Sequence, residues 1–150
     1  MSPDMTSARL RPIQQIAEKK EQDAAARVRE RQQLLTQRRA RLQELMDYLA
    51  EYDAPGQTLT VTMLINRQAF IDKLRQAIDM QTRLVEQAQQ MLEAERDKWL
   101  GQRREVKTLE QLALQYQQRE RAEEERRAQK QLDEFALRQY AHPADREAAL

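Results

Sequence analysis

The chain is 150 residues long, carries a formal net charge of +1 and contains no cysteine, while 34% of its residues are charged and only 5% are aromatic. The lack of cysteine excludes disulfide bonds, thiolate nucleophiles and thiolate zinc sites, and the near-zero net charge argues against general nucleic-acid binding. With 2 glycines and 22 glutamines, the composition favours helix and predicts an all-α fold rather than an all-β or α/β one.

The first predicted element is a long helix over about residues 8–52. Its apolar positions recur every seven residues, in two columns. One column holds Val28, Leu35, Leu42 and Leu49, and the other holds Leu10, Ala17, Ala24, Arg31, Arg38, Leu45 and Tyr52. A period of seven keeps such positions on one face of a helix that is wound into a left-handed coiled coil. The pattern therefore predicts a partner helix along this face.

The second predicted element is a turn over about residues 53–60, around Pro55-Gly56. Proline lacks the amide hydrogen that a helix interior needs, and glycine adopts positive φ readily. This stretch should therefore end the first helix and reverse the chain, so that the next helix packs antiparallel to the first.

The third predicted element is a longer helix over about residues 61–139. Its main column holds Leu64, Ile71, Ile78, Val85, Leu92, Trp99, Val106 and Ala113, and its companion column holds Leu74, Gln81, Ala88, Glu95, Gln102, Leu109 and Tyr116. Counted from the turn, Leu10 should lie opposite residues 102–106. Residues 117–131 contain no large apolar residue. This part of the helix should overhang without a partner in its own chain, and a frayed tail should follow over residues 140–150.

Together these elements predict a single domain over residues 1–150. The domain is an antiparallel coiled-coil hairpin of two long helices, the second of which overhangs the first. Residues 1–10 lack the apolar segment of a signal peptide, and no stretch approaches the 18 continuous apolar residues of a membrane span.

The side chains offer little to catalysis. A two-helix hairpin has little concavity, whereas an active site needs polar groups that converge in a cleft. The single histidine, His142, lies beside Pro143 beyond the helical pattern and has no second histidine or cysteine with which to bind a metal. The sequence also lacks a glycine-rich phosphate loop. We therefore expect no enzyme activity, no cofactor and no metal site.

Large side chains gather where the two predicted helices meet the turn. Tyr48 and Phe70 lie off the main column, so they should project at the flank of the hairpin and leave an apolar surface exposed. Such a surface is typical of a partner-binding site. The alternative is that these residues thicken the core near the turn and stabilise it.

A run of arginines forms a second unusual feature. Residues 27–41 carry six arginines and one glutamate, a net charge of +5, which could attract phosphate. The second predicted helix supplies acidic residues at about the matching antiparallel height, namely Glu86, Glu93, Glu95 and Asp97. Interhelical ion pairing is therefore the favoured interpretation.

Several stretches resemble the flagellar export protein family FliJ, a general component of the type III export apparatus. The matching stretches are Asp47-Tyr48, Glu51-Tyr52, Asn66-Arg67-Gln68-Ala69-Phe70, Trp99 with Arg103-Arg104 and Leu109, and Gln129-Lys130-Gln131-Leu132-Asp133-Glu134-Phe135-Ala136. Phe70, Asp133 and Glu134 are not required by the heptad pattern, and they carry most of the resemblance.

The resemblance implies a non-enzymatic stalk of the export ATPase ring, similar in shape to the γ subunit of rotary ATPases. It implies three partners: the export ATPase FliI, whose assembly the family promotes, the export-gate protein FlhA, and export chaperones. Neither a small-molecule substrate nor nucleic acid is expected. The expected location is the cytoplasm, peripheral on the cytoplasmic face of the inner membrane through these partners.

By matching position, the family's gate-binding surface falls near the turn. Its residues here are Leu45, Tyr48, Tyr52, Phe70, Leu74, Ala77 and, one turn further, Gln81. The side chain of Gln81 is expected on an exposed face. The resemblance places the ATPase-binding end at the two chain termini, including the overhanging part of the second helix.

Three alternatives remain compatible with the sequence. The first is the equivalent stalk of a virulence injectisome, which shares hairpin and length. The second is a homo-oligomeric scaffold, in which the bare seam of the second helix pairs with another copy of the chain. The third is a nucleic-acid-associated coiled coil that uses the arginine run.

Overall fold

The computed structural model describes residues 6–52 and 59–141. Two α-helices account for almost all of them: α1 is Ser7–Tyr52 and α2 is Val61–Ala141. No strand occurs in either described range. The all-α prediction is confirmed. Most of the predicted turn, the tail from residue 142 onward and His142 lie outside the described residues.

Each helix begins beside a threonine that caps its first turn. The hydroxyl of Thr6 accepts a hydrogen bond of 3.3 Å from the backbone N–H of Arg9, and the hydroxyl of Thr60 accepts one of 3.3 Å from the backbone N–H of Met63. A threonine cap satisfies an amide that has no partner inside the helix. The starts of α1 and α2 are therefore encoded locally.

The two helices are shared between two compact units. The described residues of the first unit are 6–17 of α1 and 105–141 of α2, and those of the second unit are 18–52 and 59–104. Within each unit, the α1 segment packs against the α2 segment along the heptad columns. This packing confirms the predicted pairing of two long helices.

In the second unit, the seam consists of heptad positions from both helices. Leu35, Ala88 and Leu92 form one contiguous cluster, with Val28 and Val85 packed against it. The buried residues of this unit are Ala24, Leu35, Leu45, Ile71, Leu74, Gln81, Ala88 and Leu92. All of them are apolar except Gln81, so burial of apolar surface is the main force that holds this seam closed.

Two polar contacts across the seam give the direction of the helices. The side-chain amide of Gln81 donates a hydrogen bond of 2.9 Å to the carbonyl oxygen of Arg38. The indole N–H of Trp99 donates one of 2.8 Å to the carboxylate of Glu21. The later residue of α2, Trp99, thus contacts the earlier residue of α1, Glu21. The two segments are therefore antiparallel.

In the first unit, the paired part is short. Leu10 of α1 is buried in a cluster with Ala113 and Tyr116 of α2. One turn earlier, the backbone N–H and the hydroxyl of Ser7 donate hydrogen bonds of 2.9 and 2.8 Å to the two carboxylate oxygens of Glu120. The prediction that Leu10 lies opposite residues 102–106 is wrong by about ten residues.

The first turns of α2 explain this shift in register. The ring of Tyr52, the last residue of α1, packs on Phe70, the tenth residue of α2. The large apolar residues of α2 before Phe70 are all exposed: Val61, Met63, Leu64 and Ile65. The seam on α2 therefore starts at Ile71, and the prediction of Leu64 as a seam residue is wrong. The predicted register is counted from the middle of the turn and assumes that α2 pairs with α1 from its first residues. It therefore does not allow for the exposed turns of α2 before Ile71.

At its other end, α2 continues beyond the paired seam. Residues 121–141 are all exposed, which confirms the predicted overhang. The hydrogen bond of 3.1 Å from the side-chain amide of Gln129 to the carboxylate of Asp133 is a local contact between residues four apart. Contacts of this kind stabilise an isolated helix by only about 0.2–0.5 kcal/mol each.

Candidate partner-binding site

The seven residues predicted to bind a partner all lie in the second unit. We use the word tip for residues 45–52 of α1 together with residues 59–74, and six of these seven residues lie at the tip or within one turn of it. Tyr48, Tyr52 and Phe70 are exposed, at 49%, 43% and 42%. The other four are buried or half-buried: Leu45, Leu74, Ala77 and Gln81. The predicted set therefore consists of an exposed aromatic group and a layer that supports it.

Tyr52 and Phe70 form a ring pair across the two helices. Their ring centroids are 4.6 Å apart, and the ring planes are tilted by 53°. Such tilted pairs contribute about 0.5–1.5 kcal/mol beyond the burial of their area. The guanidinium of Arg67 donates a hydrogen bond to the carbonyl oxygen of Tyr52, and so satisfies one of the acceptors left free where α1 ends. Both contacts hold Tyr52 in place while its ring remains partly exposed.

Gln81 does not lie on an exposed face. Only 8% of the residue is exposed, and its amide is held by the carbonyl oxygen of Arg38 on the facing helix. The expectation of an exposed Gln81 is wrong because the residue belongs to the companion heptad column of α2, with Leu74 and Ala88, and all three residues are buried. Its side chain crosses the seam to the backbone of α1.

An open groove of about 300 Å³ lies at the tip, where the first turn of α2 extends past the end of α1. The residues that line it are Tyr52, Leu59, Met63, Asn66, Arg67 and Phe70. Two of the predicted residues, Tyr52 and Phe70, thus form part of a larger surface.

Reasoning from the sequence missed Leu59, Met63 and Arg67. A signal for the first two was present, because five of the seven residues 59–65 are large and apolar, whereas a heptad seam requires only two in seven. The excess cannot be buried in a two-helix seam. No comparable signal identified Arg67, which lies in a polar stretch.

A second exposed apolar surface lies in the overhang of α2, in the first unit. Its large residues are Leu132, Phe135, Leu137 and Tyr140, which are exposed at 64%, 60%, 68% and 80%. Leu132, Phe135 and Ala136 follow at spacings of three and four, so they share one face of the helix. We call residues 132–140 the C-terminal face.

Glu120 marks the boundary between the paired seam and this overhang. The backbone N–H of Ser7 is the main cause that lowers the pKa of the Glu120 carboxyl, and the Ser7 hydroxyl adds to the effect. Both hydrogen bonds favour the charged form of the carboxylate. The negative charge also lies at the N-terminus of α1, where the helix dipole stabilises it.

The arginine run forms few of the interhelical ion pairs predicted for it. The guanidinium of Arg27 lies 3.4 Å from the carboxylate of Glu95, as expected. Arg31 instead contacts the sulfur of Met91 at 3.8 Å, and Arg41 pairs within its own helix with Glu44 at 2.9 Å. Ion pairing thus accounts for part of the run, and Arg31 places its charged end beside an apolar side chain.

Within residues 6–52 and 59–141, no group of three histidine, cysteine, aspartate or glutamate side chains is placed to hold a metal ion. Neither described helix contains a stretch that is apolar enough to span a membrane.

The chain is similar to a known protein family over most of its length. No curated protein matches the chain significantly. The family model described as "Flagellar FliJ protein" matches residues 6–145. This match covers both helices and the segment that joins them. The chain belongs to the family of flagellar FliJ proteins.

Proposed function

We propose that this protein is a non-enzymatic stalk and adaptor of the flagellar type III export ATPase complex. In this role it promotes assembly of the FliI ring and couples the ring to the export gate FlhA and to export chaperones. Membership of the flagellar family supports a role in flagellar protein export. The observation that carries the finer proposal is that one chain exposes two separate apolar surfaces, the tip and the C-terminal face.

The tip is the proposed gate-binding surface. Tyr48, Tyr52 and Phe70 are aromatic and partly exposed, and the last two line an open groove. Aromatic side chains of this kind are typical anchors of protein interfaces, since they bury a large area at a low cost in conformational entropy. Leu45, Leu74, Ala77 and Gln81 would act from beneath, by holding this surface in shape.

The overhang of α2 is the proposed ATPase-binding element. Residues 121–141 are all exposed, and the C-terminal face gives them one apolar side. An amphipathic helix without a partner is suited to pack into a groove of another protein. Insertion into the ATPase ring would bury Leu132 and Phe135. The ring would then provide the packing partner that α1 does not provide for the overhang of α2.

The proposed location follows from these partners. The protein would act in the cytoplasm and lie on the cytoplasmic face of the inner membrane only through FlhA and FliI. Exchange of export chaperones is part of the same proposal, and family membership supports it.

Two phenylalanines offer a matched test of the two surfaces. Phe70 and Phe135 both lie on α2, exposed at 42% and 60%. Phe70→Ala should weaken binding to the cytoplasmic part of FlhA by about tenfold and leave stimulation of the FliI ATPase unchanged. Phe135→Ala should weaken stimulation of the FliI ATPase and leave binding to FlhA unchanged. Both variants should be measured with the wild type for gate affinity, ATPase rate and thermal midpoint. Loss of both activities in either variant would contradict two separate sites.

A homo-oligomeric scaffold is the second candidate, because the exposed C-terminal face could pair with another copy of the chain. Light scattering of the free protein across a range of concentrations distinguishes this scaffold from the export stalk. A stable dimer that Phe135→Ala disrupts would favour the scaffold, whereas a monomer that binds FliI would favour the stalk.

A further inference from the structure

The groove at the tip contains a positive charge that is only partly satisfied. Arg67 is half-buried, and its one described hydrogen bond is donated to the neutral carbonyl of Tyr52. Its Nε atom is buried without a hydrogen-bond acceptor among the described residues. None of the ion pairs between described side chains includes Arg67.

A guanidinium in this position is well suited to receive a carboxylate. Removing a charge from water is costly unless an opposite charge or several hydrogen bonds compensate for it. A carboxylate matches the geometry of a guanidinium and forms stronger, charge-assisted hydrogen bonds than a carbonyl does. Among the described residues, those that line the groove include this one cation, one amide and no acid. The groove is therefore complementary to an acidic group.

The remaining walls of the groove are apolar. Leu59, Met63, Phe70 and the ring of Tyr52 surround the space beside Arg67. Its volume of about 300 Å³ is at the small end of the range for ligand sites. A space of this size and composition suits one or two protein side chains better than a cofactor.

We propose that this groove binds a segment of a partner protein that presents a large apolar side chain next to an aspartate or glutamate. The apolar side chain lies between Met63 and Phe70, and the carboxylate pairs with Arg67. The inference rests on the proposed gate contact at the tip and adds the chemistry that this contact recognises. It brings Leu59, Met63 and Arg67 into a surface that the heptad pattern and the family resemblance assign only to other residues.

The test measures the affinity of the full-length chain for the cytoplasmic part of FlhA at about 50 mM and about 300 mM salt. Arg67→Gln should weaken binding at least fivefold at the lower salt concentration and remove most of the salt dependence, because the ion pair is lost. Met63→Ala should weaken binding about threefold at both concentrations, since it removes apolar contact area only.

Two substitutions on α2 serve as matched controls. Arg75→Gln removes an exposed arginine outside the groove, and Met80→Ala removes a methionine that is 66% exposed. Both controls should bind FlhA like the wild type. Because Arg67 also contacts Tyr52, Arg67→Gln could alter the end of α1. In that case the result for Met63→Ala decides, because Met63 is 54% exposed and removal of its side chain leaves the seam intact.

Each outcome bears on the proposal. If both groove variants bind like the wild type while Tyr48→Ala binds weakly, the groove proposal is overturned and the gate contact at the tip stands. If Arg67→Gln only lowers the thermal midpoint and Met63→Ala has no effect, Arg67 serves the chain's own tip and the proposal is again overturned. If the wild type does not bind FlhA at all, the proposed gate contact fails and the inference fails with it.

Discussion

Gln81 lies between two apolar positions of its heptad column, Leu74 and Ala88, and is buried with them. Its amide donates across the seam to the carbonyl of Arg38. A single polar residue in a coiled-coil seam costs stability but favours one register, because a shifted register would leave its amide buried without a partner. The buried Gln81 is thus suited to hold the two helices in register, while its contact with a partner stays a prediction.

The first prediction concerns this residue. Gln81→Ala should lower the free energy of unfolding by about 1–2 kcal/mol, since it removes a hydrogen bond and leaves a small cavity. Gln81→Leu should restore or exceed wild-type stability, because burial of a leucine compensates for the lost hydrogen bond. Urea denaturation measures both, with the exposed Gln90→Ala as control. A neutral Gln81→Ala that nevertheless weakens gate binding would show that the side chain contacts the partner directly.

The second prediction concerns pH and Glu120. The folded-state pKa of this carboxyl is lowered, chiefly by the backbone N–H of Ser7. A lowered pKa means that the contribution to stability is present above the unfolded pKa, near the ordinary value of 4.5, and is lost as pH falls through the folded pKa. Amides of residues 7–17 should therefore exchange faster as the pH drops below about 4.5, beyond the intrinsic pH dependence of exchange. Glu120→Gln should abolish this change, whereas the exposed Glu110→Gln should retain it. Identical profiles for the three proteins would contradict this role.

At the scale of the helices, the difference between seam and overhang decides what an apolar residue contributes. Leu92 of α2 is 2% exposed and packs with Leu35, whereas Leu64 of the same helix and the same heptad column is 48% exposed. The two leucines are indistinguishable by their spacing in the sequence. Only the position of the end of α1 separates them.

The third prediction uses this pair. Leu92→Ala should lower the free energy of unfolding by about 2–3 kcal/mol, the lower part of the range for buried leucines because the seam is only two helices thick. Leu64→Ala should change it by less than about 0.5 kcal/mol. Thermal and urea denaturation of the two variants provide the comparison. Equal destabilisation of both variants would mean that the seam with α1 reaches back along α2 as far as Leu64.

These residues also show what the sequence can and cannot predict. The heptad columns predict both helices, their antiparallel pairing and the overhang after Tyr116, because burial of a seven-residue period leaves few other solutions. The register was not predictable in the same way, since it depends on how far α2 extends past α1 at the turn. The groove depends on that register, whereas the burial of Gln81 follows from its place in the companion heptad column with Leu74 and Ala88. Tyr48 and Phe70 were predictable as exposed because they lie off the main column.

At the scale of the whole chain, apolar side chains either pack in the seam or form exposed surfaces. Twelve of the 17 large apolar residues that are exposed in the described ranges lie at the tip or in residues 132–140. The remaining described surface is mostly polar, in keeping with a mean hydropathy of −0.96 and a net charge of +1. A chain with a closed seam and two such apolar surfaces is suited to bind two different partners, one in each unit.

The last prediction follows from the exposure of the overhang. A chain that ends at Glu120 loses no described buried residue, because residues 121–141 are all exposed. Its free energy of unfolding should therefore stay within about 0.5 kcal/mol of the wild type. Its affinity for FlhA should also be unchanged, whereas stimulation of the FliI ATPase should be lost with the C-terminal face.

A chain that ends at Leu109 is the control for this truncation. It also lacks Ala113, Tyr116 and Glu120, which hold Leu10 and Ser7 in place. Residues 7–17 should then lose their protection from hydrogen exchange, whereas the chain ending at Glu120 should keep it. If the chain ending at Glu120 still stimulates FliI at the wild-type rate, the ATPase-binding element lies elsewhere in the protein. If that chain unfolds more readily than the wild type, the overhang packs in solution, and light scattering on both proteins would reveal whether a second copy is its partner.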